Sequence, residues 1–228
     1  MNSALIVAAH PDDEVLGCGG TAARLSAEGW DVHILVMAEG ATSRDPERRR
    51  EARLAELSEL ERCAHEAGSI MGAASVALAD FPDNRMDSVD LLDVVKRIEE
   101  SIRLHQPKRV FTHSSKDVNI DHRVIHDAVI AATRPKPGAS VHELFFFEVL
   151  SSTEWRPPSS IGPFAPTCFV DISDHIGTKT QALEVYTPEL VPFPHPRSVE
   201  AVEALARYRG ATVGVAAAEA FEVGRIII

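Results

Sequence analysis

Cysteine is scarce in this sequence and poorly placed for cross-linking. Only three cysteines occur among the 228 residues, at Cys18, Cys63 and Cys168. Their number is odd, they lie far apart, and no two of them form a CxxC pair. This usage argues against a disulfide framework and fits a reducing compartment.

Positive charge is also in short supply. The chain carries 23 Lys and Arg against 34 Asp and Glu, which gives a formal net charge of -11. Nucleic-acid binding relies on clustered Lys and Arg that neutralise phosphates. The one basic cluster, residues 48–50, is flanked by Glu47 and Glu51, which is typical of a solvated helix turn. We therefore expect no nucleic-acid partner.

Long hydrophobic runs are missing as well. The apolar run near the start spans residues 4–9, and no basic stretch precedes it. It is too short for a signal peptide, and no segment has the roughly 20 apolar residues of a membrane span. We expect a cytoplasmic protein with no membrane partner. Hydrophobic residues make up 45% and charged residues 25% of the chain, as in ordinary globular domains.

Short apolar segments alternate with longer amphipathic ones along the first two thirds of the chain. The pattern predicts strands at 4–9, 32–37, 74–79, 109–112 and 144–149. It predicts helices at 21–28, 46–67, 88–105 and 121–133. Such alternation indicates an α/β fold, with a Rossmann-like, mostly parallel sheet and helices on both faces.

The composition changes after residue 150. Prolines interrupt residues 151–167 and again residues 188–196. A further strand is predicted at 168–172, and helices are predicted at 174–186 and 198–209. We expect residues 1–150 to form the catalytic core. Residues 151–228 would form a C-terminal cap that completes the substrate pocket within the same domain.

A polar cluster ends the first predicted strand. His10, Pro11, Asp12, Asp13 and Glu14 follow directly after residue 9. In open α/β sheets, ligands bind beyond the carboxyl ends of the strands. One alternative is a simple helix start, because acids interact favourably with the positive end of a helix. The following glycines suggest nucleotide binding, but their spacing is not GxGxxG and the adjacent acids would repel a pyrophosphate.

A second cluster follows the strand predicted at 109–112. Asp121 and His122 open the next helix, and His126 lies on the same helix face as His122, four residues later. Imidazoles and carboxylates from two strand ends are typical of a metal site, and a catalytic zinc keeps one position open beside three protein ligands. Fe2+ or another divalent ion would also suit two imidazoles and one carboxylate. A solvated or capping histidine is the alternative.

The segments AAHPDDEVLGCGG and NIDHRVIHDAV resemble the signature of the LmbE-like, or PIG-L, family of zinc-dependent N-deacetylases. The similarity runs from residue 4 to the neighbourhood of residue 150 and implies the Rossmann-like framework. Residues 195–225 also resemble the C-terminal part of bacterial sugar deacetylases in this family. The family resemblance also implies that His10, Asp13 and His122 bind the zinc and that Asp12 is the general base. Family members often form trimers or hexamers, so the resemblance implies a homo-oligomer.

One position departs from the family pattern. Many members read H-x-D-H before the ligand histidine, and the first histidine of that segment stabilises the oxyanion. This chain has Asn119 there, which can donate a hydrogen bond but cannot carry positive charge. His195, from the predicted cap, is a candidate for the missing imidazole. His113 is a weaker candidate and a potential substrate contact.

Further residues are assigned from their positions. Asp121 would either orient a neighbouring donor or cap the helix at 121–133. Arg48 matches a family arginine near the substrate, although a solvated helix face is the alternative. Asp83 and Arg85 follow the third strand, where they would bind substrate hydroxyls or form a salt bridge within the turn.

Three functions are compatible with these features. An N-deacetylase would remove the acetyl group from an N-acetylated amino sugar, present as a glycoside or a nucleotide-linked sugar. Zinc would lower the pKa of a water molecule, and Asp12 would take its proton. An amidase would use the same residues on a thiol conjugate or another acylated amine. A non-catalytic nucleotide- or sugar-binding protein would need neither the metal nor Asp12, so the sequence favours the deacetylase.

Overall fold

A seven-stranded sheet forms the centre of the computed structural model, which describes residues 2–228. Its strands are β1 (Ser3–Ala8), β2 (Asp31–Ala38), β3 (Ser75–Phe81), β4 (Arg109–His113), β5 (Glu143–Phe147), β6 (Cys168–Asp171) and β7 (Ala218–Ile226). They lie in the order β3-β2-β1-β4-β5-β7-β6. The first five are parallel neighbours, and β7 runs antiparallel to both β5 and β6.

Helices cover the sheet on both faces. They are α1 (Asp13–Ala27), α2 (Leu54–Ile70), α3 (Leu91–His105), α4 (Ile120–Ala132), α5 (Pro158–Ile161), α6 (Ile176–Glu184) and α7 (Val199–Ala211). Successive side chains of β1 point to opposite faces, so both faces need a cover. Ala4 and Ile6 pack with α1, α2, α6 and α7, whereas Leu5 and Val7 pack with α3 and α4. The predicted α/β architecture is confirmed.

Strand β7 is not among the strands expected from the sequence. Its segment AEAFEVGRI is buried over its first four residues and partly exposed afterwards, so it lacks a regular alternation of polar and apolar positions. In the structure it lies between β5 and β6 and pairs with both. The sheet therefore includes β7 as well as β6, the strand expected at 168–172.

Helix α1 begins at residue 13, well before the expected start at residue 21. It is kinked at Cys18, where the backbone leaves helical geometry (φ −152°). Glycines beside the kink allow close packing. A Cβ at Gly17 would lie 2.3 Å from the ring of Phe147, and one at Gly20 would lie 2.7 Å from Ile172. The glycines are thus explained by side chains packed against the helix, without a nucleotide.

The C-terminal part of the chain packs against α1. Helix α6 lies against α1 and α7, and the buried Lys179–Glu219 ion pair joins α6 to β7. Tyr186, which follows α6, donates a hydrogen bond of 2.5 Å to Glu14 of α1. Within residues 2–228, none of the helices combines the length and apolar character that crossing a membrane requires.

Candidate metal centre

The site lies where the strand order reverses, near the middle of the sheet. Strands β2 and β3 lie on one side of β1, and β4 and β5 lie on the other. Open α/β sheets bind ligands beyond the carboxyl ends of strands at such a point. His10 follows β1, Asp83 follows β3 and His122 follows β4. Parallel pairing therefore brings these residues to one edge of the sheet.

Three side chains converge there with the spacing of a metal centre. Oδ2 of Asp13 lies 3.2 Å from Nδ1 of His10 and 3.1 Å from Nε2 of His122. One potential ligand atom from each residue lies within 4.8 Å of the other two. All three residues are buried. The structure thus brings together the side chains that the family resemblance implies as ligands.

The hydrogen bonding of this trio is incomplete in a way that fits a cation. Oδ1 of Asp13 and Nε2 of His122 are buried without a hydrogen-bond partner, although Nε2 approaches the Asp13 carboxylate to 3.1 Å. Buried polar atoms are rarely left unpartnered. Imidazole and carboxylate together form a donor set that Zn2+ accepts. The residues present therefore fit a divalent ion.

Asp121 orients His10. Its Oδ2 atom lies 3.1 Å from Nε2 of His10, and its carboxylate also accepts two backbone N–H groups from the turn after β3. The capping role considered for Asp121 belongs to Asn119, whose Oδ1 accepts the backbone N–H of Asp121 at 2.8 Å. Of the two roles considered for Asp121, the geometry matches the orienting one.

Asp117 holds His122 in a similar way. Its Oδ2 atom lies 3.0 Å from Nδ1 of His122. The hydroxyls of Ser152 and Thr153 and the backbone N–H of Asn119 donate to the same carboxylate. Acids behind ligand imidazoles fix the ring orientation and the tautomer. Asp117 was not predicted as a site residue, and its only signal in the sequence is its position shortly before the second cluster.

Asp12 differs from its neighbours in backbone conformation. Its φ of 109° lies in the left-handed region, which residues other than glycine rarely adopt. The Glu14 carboxylate accepts the backbone N–H of Asp12 at 3.1 Å and so supports this conformation. The Asp12 side chain is buried, and its Oδ1 atom has no hydrogen-bond partner. A buried, unpartnered carboxylate oxygen beside the ligand trio is well placed to exchange a proton.

The centre attracts positive charge. Burial by itself would lower the pKa of His122, but Asp13 and Asp117 outweigh it and raise that pKa to about 9. Burial would likewise lower the pKa of His10, yet the carboxylates facing its ring raise it well above the usual value. Burial would raise the pKa of Asp83, but hydrogen bonds from His10 and Ser43 lower it to about 2. Ionised acids thus surround the imidazoles, and a divalent ion would balance their charge.

The two adjacent aspartates titrate in opposite directions. Burial raises the pKa of Asp12 well above its usual value, against the opposing effect of Arg197. Burial would also raise the pKa of Asp13, but His122 and His10 lower it well below the usual range. Asp13 therefore stays ionised, as a ligand must. Asp12 binds a proton more readily than an exposed aspartate does.

A cleft of about 200 Å³ opens beside the centre. Hydrogen-bonding side chains dominate its wall, among them His10, Asp12, Asp83, Asn84, Asn119 and Arg197. Asp83 contacts the ring of His10 at 3.3 Å, and the Asn119 amide donates to Oδ1 of Asn84 at 2.9 Å. Such a wall presents many donors and acceptors to a small polar molecule.

Two predicted substrate arginines are engaged elsewhere. Arg48 forms a bidentate ion pair with Glu39, at 2.8 and 3.0 Å, and also donates a hydrogen bond of 2.5 Å to the backbone carbonyl of Asp80. Arg85 donates to the backbone carbonyls of Asp45 and Pro46 at 3.1 and 2.8 Å. Neither side chain lines the cleft. Because their N–H groups already donate to Glu39 and to backbone carbonyls, we do not retain either arginine as a substrate contact.

Two predicted histidines also lie outside the cleft. His113 is fully buried behind His122, with ring centroids 3.9 Å apart, and its Nε2 accepts the backbone N–H of Ala9 at 2.8 Å. Because it is sealed from solvent, we do not retain it as a substrate contact. The Nδ1 atom of His195 accepts the backbone N–H of Arg197 at 3.1 Å, and its ring lies edge-on to an exposed tryptophan. We do not retain His195 as the replacement for the missing imidazole.

Glu189 and Arg197 line the cleft but were not among the predicted site residues. They come from the proline-rich stretch before α7, which sequence patterns resolve least well. Nη1 of Arg197 lies 3.5 Å from Oδ2 of Asp12 and 3.7 Å from Oε2 of Glu189. The tertiary fold therefore places a guanidinium beside Asp12, two residues after the histidine that the sequence suggested.

The fold and the site define an α/β protein with two histidines and one aspartate poised to hold a metal at the switch point of the sheet. The family model for PIG-L, described as GlcNAc-PI de-N-acetylase, matches residues 5–133, more than half of the chain. The chain belongs to the PIG-L family, a family of deacetylases. The resemblance based on the two motifs is confirmed.

Individual relatives of this chain include a deacetylase and a hydratase. YaiS of Escherichia coli (strain K12), an uncharacterised deacetylase, is 30% identical over 140 residues, which cover 58% of this chain and 69% of that protein. The 4-oxalmesaconate hydratase of Pseudomonas putida (strain KT2440) is 30% identical over 170 residues, which cover 68% of this chain and 65% of that protein. The crystal structure of a conserved protein from Thermus thermophilus matches with a TM-score of 0.76 at 29% identity, covering 100% of this chain and 97% of that chain.

Proposed function

We propose that the protein is a metal-dependent N-deacetylase that acts on an N-acetylated amino sugar, present as a glycoside or a nucleotide-linked sugar. The observation that carries this proposal is the convergence of His10, Asp13 and His122 beside the unpartnered carboxylate of Asp12. Membership of the PIG-L family, whose description names GlcNAc and de-N-acetylation, supports the amide bond and the amino sugar. The polar wall of the cleft suits a substrate with several hydroxyl groups.

In this proposal, His10, Asp13 and His122 hold the metal ion. We favour zinc, although the same donor set is compatible with Fe2+. A divalent ion there would lower the pKa of a water molecule and polarise the acetyl carbonyl. Asp121 and Asp117 keep the two imidazole rings turned toward the ion, since each carboxylate faces the opposite ring nitrogen.

Asp12 carries the proton between water and amine. Its carboxylate accepts a proton while the water oxygen bonds to the acetyl carbon. It returns the proton to the nitrogen as the C–N bond breaks, so that acetate and a free amine are released. The raised pKa of Asp12 assists the exchange, because burial stabilises the protonated form that exists between the two steps.

The first experiment tests metal and base together. Wild type and Asp12→Asn are purified without added metal, their metal content is measured by plasma mass spectrometry, and amine release is followed on a panel of N-acetylated sugars. We expect about one ion per chain in both proteins. We expect turnover by Asp12→Asn to fall by roughly 10²- to 10⁴-fold, the usual contribution of a general acid–base.

Asp80→Asn is the matched control. Asp80 lies at the end of β3 but is exposed and pairs with Arg50, so its loss should leave both metal content and turnover unchanged. Turnover by Asp12→Asn at the wild-type rate would remove Asp12 from the mechanism. A wild type that binds no metal even when zinc is supplied would contradict the proposal as a whole.

Two alternatives are tested with the same protein. An amidase for thiol conjugates or other acylated amines would use the same residues, so the panel includes such amides. The hydratase relative from Pseudomonas putida indicates that water addition to a double bond is a chemistry found among similar proteins. Loss of ultraviolet absorbance by conjugated unsaturated acids, without amine release from any amide, would favour a hydratase.

A further inference from the structure

Arg197 places a positive charge close to Asp12 in the wall of the cleft. Its Nη1 atom lies 3.5 Å from Oδ2 of Asp12, and it also lies 3.7 Å from Oε2 of Glu189. Both distances exceed that of a good hydrogen bond. The guanidinium therefore lies near these carboxylates while its terminal N–H groups stay available for another acceptor. Arg197 comes from the loop before α7 and is absent from the segment that the family model covers.

The backbone and stem of Arg197 are fixed. Its Nε atom donates to the hydroxyl of Ser151 at 2.7 Å, and its backbone N–H donates to Nδ1 of His195 at 3.1 Å. Its side chain is only 26% exposed. Across residues 2–228, its terminal amino groups donate no hydrogen bond. A guanidinium has five N–H donors in a rigid fork, so those left over face the cleft at a defined position.

The cleft lacks another cation free to stabilise negative charge, as far as residues 2–228 show. Asn119 is neutral, and its amide already bonds Asn84 and the backbone of α4. His113 is sealed behind the ligand histidine. Arg44 lines the cleft but pairs at 2.6 Å with Glu189. Within residues 2–228, Arg197 is thus the positively charged side chain beside the proposed base whose terminal N–H groups remain available for hydrogen bonding.

We infer that Arg197 is a further catalytic residue that donates hydrogen bonds to the carbonyl oxygen of the scissile amide as negative charge develops there. The inference rests on the proposed deacetylase function and supplies the positive charge that Asn119 cannot. As the water oxygen bonds to the acetyl carbon, the carbonyl electron pair moves onto oxygen, and it returns when the C–N bond breaks. Preorganised donors at such an oxygen typically contribute about 10²- to 10³-fold to kcat.

The test compares Arg197→Gln and Arg197→Lys with Arg207→Gln. Arg207 is an exposed residue of α7 that pairs with Glu203. Arg207→Gln therefore serves as a control, because it makes the same substitution outside the site. We expect Arg197→Gln to lower kcat on an N-acetylated sugar by roughly 10²- to 10³-fold with a less than about threefold change in KM. Arg197→Lys should recover part of kcat, and added guanidinium should partly rescue Arg197→Ala. Circular dichroism and metal content, unchanged in all variants, establish that the proteins are folded and loaded.

A binding measurement separates a catalytic role from a structural one. A substrate analogue with a methylphosphonamidate in place of the acetamide carries negative charge on a tetrahedral centre. By calorimetry, Arg197→Gln should bind this analogue about 10²-fold more weakly than wild type, while the affinity for uncleaved amides changes little. Equal losses for both ligands, or a loss in KM alone, would make Arg197 a ground-state binding residue and overturn the inference.

The inference and the function fail in distinguishable ways. If the wild type and Arg197→Gln cleave amides equally well, only the role of Arg197 is overturned. A wild type that cleaves none of the amides overturns both the deacetylase and the inference that rests on it. If Arg197→Ala keeps the kcat of the wild type and added guanidinium does not change it, the role of Arg197 is overturned and the deacetylase function is unaffected.

Discussion

At the residue scale, the site depends on carboxylates in two different relations to imidazole. Asp13 approaches both His10 and His122 on the side where a metal would be shared. Asp121 and Asp117 approach the same rings from their other nitrogens. The first relation suits a ligand, and the second fixes the ring. The family resemblance singled out His10, Asp13 and His122 as potential ligands, whereas nothing in the sequence assigned a role to Asp117.

Replacing Asp117 tests its effect on the metal. In Asp117→Asn, the side chain can no longer pair as an anion with Nδ1 of His122, so the ring is held less firmly and is a poorer ligand. We expect the affinity for zinc, measured by competition with a chelator, to fall by roughly 10- to 100-fold. Asp127→Asn, on the exposed face of α4, is the control. Equal affinities for the two variants would mean that Asp117 only organises the loop at Ser152 and Thr153.

At the scale of elements, the kink in α1 is supported from a distant strand. Glu219 of β7 accepts the backbone N–H groups of Gly20 and Thr21 at 2.9 and 2.7 Å, just after the kink at Cys18. The same carboxylate pairs with Lys179 of α6 at 2.5 Å, and both side chains are about 4% exposed. One buried acid thus joins α6 and β7 to the part of α1 that follows the kink.

Replacing Glu219 should be costly for stability. In Glu219→Gln, Lys179 would remain buried without an opposite charge, and breaking a buried pair in this way costs about 3–5 kcal/mol. The free energy of unfolding, measured in urea, should fall by that amount. Glu222→Gln is the control on the same strand, because Glu222 pairs with the more exposed Lys116 and should cost roughly 1 kcal/mol or less. Similar losses for the two variants would contradict a special role for Glu219.

The elements also show where sequence patterns fail. Helices α3 and α4 have long amphipathic faces and were predicted with ends close to those observed. Strand β7 was missed because its burial follows from pairing on both edges, not from a repeated polar–apolar pattern. The predicted start of α1 was late, because three glycines precede residue 21 and glycine is unfavourable inside a helix. Tertiary packing of Gly17 and Gly20 allows a helix there.

At the scale of the whole molecule, stability should depend on a histidine pair far from the metal centre. His33 of β2 and His105 at the end of α3 stack with ring centroids 3.7 Å apart. Burial, and then the facing ring of His105, lower the pKa of His33, against the opposing charge of Asp31. Burial and the nearby Arg97 lower the pKa of His105. The folded protein therefore resists protonation of both rings more than the unfolded chain does.

The sign of the pH effect follows from this. Above the ordinary histidine pKa of about 6.5, both states are neutral and the pair has no pH-dependent effect. As the pH falls through that value, the unfolded chain takes up protons first, so folded stability is lost. We expect His105→Gln to lose less stability than wild type between pH 7.5 and pH 5.5, measured by urea unfolding at both values. His65 lies on an exposed face of α2, so His65→Gln should lose as much stability as the wild type over this pH range. An equal loss in His105→Gln would mean that the histidine pair has no effect on the pH dependence of stability.

The C-terminal part of the chain contributes to the site and to the sheet alike. Tyr186 bonds Glu14, Arg197 reaches Asp12, and β7 pairs with β5. The division at residue 150 into core and cap stays a prediction, as does assembly into a homo-oligomer. The match to the Thermus protein over the full length of this chain shows that the C-terminal part belongs to the shared fold.

The sequence by itself determined the α/β alternation and, through its two motifs, the family. The alternation depends on local periodicity, and the resemblance of the motifs pointed to His10, Asp13 and His122, which the parallel sheet gathers at one edge. Only the tertiary structure decided that β7 enters the sheet, that Asp117 supports His122, and that Arg197 faces Asp12. Such contacts join residues far apart in the chain, so they follow from how the whole chain packs, and no local pattern of residue types encodes them.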